Sequence, residues 1–131
     1  MKYLGLLIAI LIQVSCSGQT KSDLIGTWKI EKIVDNSSSS ISGCNEAAKE
    51  YKLTFNTDNT YSFDAGPGYI TSGKWKIEGN RINFYNSKLS DPSQGTVADH
   101  AYPFEINDKG ILIVDEYICS ELGGKTHYKK I

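Results

Sequence analysis

The chain is poor in the residues that carry chemistry. Among 131 residues there are two histidines, three cysteines and one methionine. No Gly-x-Ser-x-Gly and no glycine-rich phosphate loop occurs, so neither a hydrolase elbow nor a nucleotide cradle can be read from it. His127 has no Cys, His or acidic residue at metal-ligand spacing, and no metal, cofactor or catalytic residue is expected. Neither sign of charge dominates: 14 Lys and Arg face 15 Asp and Glu, a net charge of -1, which gives nucleic acid nothing to bind. There is also no apolar run of the roughly 20 residues that cross a bilayer. What is present is one domain's worth of alternating apolar and polar residues, with eight Tyr, four Phe and two Trp.

The run at residues 4–12, behind Met1-Lys2-Tyr3, has the length of an export signal. Gln13-Val14-Ser15-Cys16 follows it and resembles the lipobox of bacterial lipoproteins, which usually carries Leu where this chain has Gln13. The resemblance implies cleavage after residue 15 and a lipidated Cys16. The alternative is ordinary signal cleavage near Gly18 and Gln19. Both place the mature protein outside the cytoplasm, in the cell envelope. An odd cysteine count in an exported chain also favours spending Cys16 on lipid, leaving Cys44 and Cys119 as a pair. Their bridge would close a loop of about 75 residues; two separate thiols are the other possibility. The expected organisation is a signal peptide over residues 1–15, a polar tether over 16–23 and a barrel domain over 24–131.

Period-two alternation predicts about eight strands. They fall near residues 26–34, 51–56, 60–63, 69–77, 81–86, 99–106, 111–118 and 125–131, with a short helix near 45–50 in the first connection. Connections after the even-numbered strands are tight turns, such as Asp58-Asn59 and Glu78-Gly79-Asn80. Those after the odd-numbered strands are long or irregular. In an up-and-down antiparallel barrel the two sets lie at opposite ends, which gives a cup with an open mouth. Cys44 and Cys119 would then sit in the first and last connections at the mouth, beside the seam where the first and last strands meet.

Leu24-Ile25-Gly26-Thr27-Trp28, then Leu53-Thr54-Phe55 with Asp58-Asn59-Thr60-Tyr61, then Gly73-Lys74-Trp75-Lys76-Ile77, resemble the lipocalin-like domains of small bacterial envelope lipoproteins. The resemblance implies an eight-stranded β-barrel with Trp28 plugging the closed base. It also implies a basic residue of the last strand, Lys129 or Lys130, lying across that indole. Trp75 is expected beside Trp28 as a second plug.

Taking Trp28 as inward sets the phase of every strand. In the first strand Trp28, Ile30, Lys32 and Val34 face in. Strand seven is ambiguous, with either Leu112, Val114 and Glu116 or Ile111, Ile113 and Asp115 inward. Sorting by height puts an apolar floor at the base and Lys32, Tyr51, Phe63, Tyr69, Thr71, His100, Tyr102 and Glu116 near the mouth, the make-up of a small-molecule site. The expected ligand is small and apolar or amphipathic. The rival expectation is a filled barrel whose loops contact an envelope protein or inhibit a protease.

Overall fold

Alternation becomes architecture through hydrogen bonding, because strands whose apolar faces all point one way bury them by closing on themselves. The computed structural model describes residues 20–35, 42–119 and 123–131. The elements are α1 (Lys21–Leu24), β1 (Gly26–Asp35), α2 (Ser42–Ala48), β2 (Lys52–Phe55), β3 (Thr60–Asp64), β4 (Ile70–Glu78), β5 (Arg81–Leu89), β6 (His100–Ile106), β7 (Leu112–Glu116) and β8 (Gly124–Lys130), with one 3-10 turn at Pro92–Gln94. The strands form a closed barrel in sequence order, each antiparallel to the next, and β8 returns to pair with β1. The expected signal peptide, Cys16 and the serine run at 37–40 lie outside the described residues.

The closed end is a two-indole floor capped by α1. Trp28 Nε1 donates 2.8 Å to the Leu24 carbonyl, one of the orphan acceptors at the end of that short helix. Lys130, the register partner of Trp28, holds its ammonium 5.0 Å from the Trp28 ring centroid. Gly26 makes room for this, since it has φ +129 and a Cβ there would stand 3.0 Å from Lys130 Cε. On the other side Lys21 lies 5.7 Å over Trp75 and donates to Asn59, while Phe55 meets Trp75 edge to face at 4.7 Å. Residues 20–23, expected in the tether, are thus folded against the base, where the Asp23 carboxylate accepts the Thr20 N–H at 2.8 Å. The basic residue over Trp28 is Lys130; Lys129 points outward and is exposed.

Two irregularities reshape the wall. In β1 an extra residue, Glu31, sits between Ile30 and Lys32 in the pairing with β8. The phase therefore flips: Ile33 turns inward, whereas Lys32 and Val34 are exposed. In β5 the residues Asn86 and Ser87 stand opposite Gly73 of β4, with Asn86 at φ 51. The bulge lets β5 continue to Leu89 rather than end at residue 86. A Cβ on Gly73 would meet Tyr85 O at 2.8 Å, so the close approach requires glycine.

Cys44 and Cys119 form the disulfide across the mouth seam, with Cα atoms 5.7 Å apart. It ties α2 to the residues after β7. That helix begins at Ser42, earlier than the expected 45, and its last turn hands over to β2 through the Tyr51 N–H to Ala48 carbonyl bond.

Candidate functional site

Above the indole floor the rings continue upward in contact. Phe55 stacks on Phe84 at 6.0 Å, Phe84 meets Tyr61 at 4.6 Å and Tyr102 at 6.2 Å, and Tyr102 stacks on His100 at 5.5 Å with 14° between planes. The lower barrel is filled, with Trp28, Phe55, Trp75, Ile82, Leu112 and Val114 at most 2% exposed. Each such large side chain contributes roughly 1.5–3 kcal/mol by leaving water. The upper barrel is not filled.

A cavity of about 200 Å³ opens there. Its walls are Leu53, Tyr61, Phe63, Thr71 and Phe84 from β2 to β5, His100 and Tyr102 from β6, and Glu116 and Tyr128 from β7 and β8. Val97, Tyr117 and Ile118 from the mouth connections complete it. Larger depressions, such as one of about 780 Å³ along Ser62, Ser72, Lys74 and Lys88, are grooves open to solvent on the outer wall. They lack the apolar enclosure that holds a ligand.

The acid that the described residues bring to the cavity comes from β7. Strand seven takes the phase with Leu112, Val114 and Glu116 inward. Glu116 pairs across the ladder with Gly124, which offers no side chain beside it. Tyr128, two inward positions lower on β8, sends its hydroxyl up to donate 2.5 Å to Glu116 Oε1, and the Thr126 side chain also bonds the carboxyl. Burial pushes the Glu116 carboxyl up to about 7, against the pull of those two hydroxyls. Burial likewise pushes the Tyr102 hydroxyl up to about 12, with the nearby Glu116 charge adding to it. Tyr61 is raised by burial too, and its hydroxyl shares a 2.5 Å hydrogen bond with Ser87.

Five of the eight residues expected at the mouth line this cavity: Phe63, Thr71, His100, Tyr102 and Glu116. Lys32 does not, because the β1 bulge turns it to solvent. Tyr69 does not either. The bend before β4 is closed by Tyr69 N–H to Gly66 O and Ala65 N–H to Tyr69 O, which leaves the ring 58% exposed. Tyr51 covers Phe63 from the α2 side, edge to face at 5.8 Å, and lines an outer groove instead. Tyr61, outside the expected mouth set, also lines the cavity. Tyr128 was findable, since the alternation of Thr126, His127 and Tyr128 puts it inward.

A barrel plugged at one end and hollow at the other, with aromatic walls and one buried acid, defines a small-molecule-binding β-barrel. Residues 24–111 match the lipocalin-like domain family, and the chain belongs to that family. Its members generally bind ligands rather than catalyse. The matched stretch ends before β7 and β8, the strands that carry Glu116 and Tyr128. Neither a curated protein nor a solved structure matches the chain. No described helix is long and apolar enough to cross a membrane, and the Cys44–Cys119 bridge is of the kind formed in oxidising compartments outside the cytoplasm.

Proposed function

We propose that this protein is exported, held at a bacterial membrane by lipid on Cys16, and binds a compact, largely apolar molecule in the upper barrel. The observation that carries this reading is the 200 Å³ aromatic cavity beneath the disulfide-tied mouth. Its size decides among ligands. Pockets for drug-sized molecules run from about 300 to 1,000 Å³, while about 150 Å³ suffices for benzene. A single ring with a short side chain fits; a haem or a full acyl chain does not. With residues 20–24 folded at the closed base, lipid on Cys16 would tether the barrel by that end and leave the mouth facing away from the membrane.

Native mass spectrometry of the protein purified gently from its membrane tests this reading, with Thr71→Trp as the variant that plugs the mouth. A small adduct present on the native protein, lost on denaturation and absent from a folded Thr71→Trp protein is expected. Bare native protein, or an adduct that survives the plug, overturns the reading. Tyr69 and Tyr117, 58% and 66% exposed among the mouth connections, favour a second reading in which the rim contacts an envelope protein. Retention of a partner through Tyr69→Ser and Tyr117→Ser would count against it.

A further inference from the structure

Among the described residues Glu116 is the one carboxyl that lines the cavity, and the residue is 9% exposed. A carboxylate can accept at about four lone-pair positions. The Tyr128 and Thr126 hydroxyls use two of them. No lysine, arginine or histidine forms an ion pair with Glu116 among the described residues, where the ion pairs are Lys29–Glu50, Lys49–Glu46 and Lys76–Glu78. When it is ionised, a buried carboxylate calls for a cationic partner; the carboxyl that lacks one here lines a cavity.

The surroundings agree on the sign of the missing charge. Tyr61 of β3, Tyr102 of β6, Tyr117 after β7 and Tyr128 of β8 line this space, and Thr126 bonds the Glu116 carboxyl beside it. Among the described lining residues His100 is the only one able to become a cation, and it sits exposed at the mouth, flat against Tyr102. Next to it, Asp99 adds negative potential that reaches Tyr61. Aromatic faces attract cations as well, and a ring-lined pocket is a recurrent means of holding an ammonium group. A ligand anion would find no lysine or arginine in the cavity wall.

From this we infer that the cavity takes a small monocationic amine, its ammonium group donating to Glu116 and its hydrocarbon or single ring lying against Phe63, Phe84 and Tyr102. The inference rests on the small-molecule reading of the same cavity and specifies the ligand's charge.

Three probes of matched shape separate the charges by calorimetric titration at pH 8: phenethylamine, 2-phenylethanol and 3-phenylpropionate. Phenethylamine is expected to bind about tenfold or more tightly than the alcohol, the scale of a charge-assisted hydrogen bond, and the carboxylate not measurably. Glu116→Gln keeps an oxygen to accept from Tyr128. It should bring the amine down to the alcohol's affinity while leaving the alcohol within about twofold. A wild-type arm needs no variant: as pH falls below about 7, where Glu116 takes up its proton, amine affinity should fall toward the alcohol's while the alcohol's stays level. An alcohol that binds as well as the amine, a carboxylate that binds better, or an amine affinity flat from pH 8 to 5.5 overturns the inference and leaves the cavity reading intact. If none of the three binds, the amine is excluded, and the mouth-plug experiment decides whether the cavity reading falls with it.

Discussion

The Tyr128 hydroxyl donates to Glu116 Oε1 at 2.5 Å across the inside of the barrel, joining β8 to β7 above a floor of two indoles. Neither residue is close to the other in register: Tyr128 pairs with Leu112 and Glu116 with Gly124. The long phenol spans the difference along the barrel axis. It makes the only acid that the described residues bring to the cavity wall a fixed acceptor, and it leaves that acid in an environment that disfavours its charge.

A pH dependence of stability follows. The Glu116 carboxyl sits at about 7 in the folded protein against an ordinary 4.5. Between those values the folded protein keeps a proton that the unfolded chain releases. The contribution is therefore full below about pH 4.5 and is lost as pH rises through 7. Glu116→Gln removes the cost of burying the charge. It should be more stable than the parent by on the order of 2–3 kcal/mol at pH 8 and equal to it near pH 4.5, as measured by urea denaturation at each pH. Other carboxyls, such as the hydrogen-bonded Asp58 and Asp91, are lowered instead, but they are common to both proteins and cancel in the difference.

Reduction of the Cys44–Cys119 bridge, or Cys44→Ser with Cys119→Ser, should cost about 4 kcal/mol in the chain-entropy account of a loop this long. The midpoint of urea unfolding with and without reductant measures it. An unchanged midpoint would mean that the two cysteines are not bridged in the protein tested.

At Gly73 a methyl group would press on the backbone carbonyls of Tyr85 and Asn86, at 2.8 and 3.0 Å from the added carbon. Gly73→Ala should destabilise by about 2 kcal/mol or more, because backbone must move and the β5 bulge is held by its register. Gly79→Ala, where a methyl group meets nothing within 4 Å, is the comparison for the strain of a positive φ alone.

Lys130 and Lys129 are neighbours with unequal roles. Lys130→Ala should lower stability by roughly 0.5–1 kcal/mol through loss of the cation over Trp28. Lys129→Ala should stay within about 0.5 kcal/mol, as for a surface substitution away from such contacts. Equal effects in thermal melts would refute the assignment of the base cation to Lys130.

The Trp28 and Trp75 floor was implied by the resemblance and the Cys44–Cys119 pair by the cysteine count; what the sequence determined through period and connection length was the strand number and order, the long-loop mouth and the inward face of β6 from His100 to Ile106. These follow from local alternation, which one residue's neighbours reveal. The tertiary structure alone decided where alternation breaks. The extra residue at Glu31 becomes visible only against β8, and it moves Lys32 out of the site and Ile33 into it. The bulge in β5 opposite Gly73 becomes visible only against β4. The phase of β7, ambiguous in a run apolar on both faces, was settled by pairing with β6 and β8, and with it the inward turn of Glu116. Tyr128 and Glu116 meet because the closed barrel sets a ring from one strand beneath an acid on the next. Such a contact depends on register and reach across strands, which no periodicity within either strand encodes.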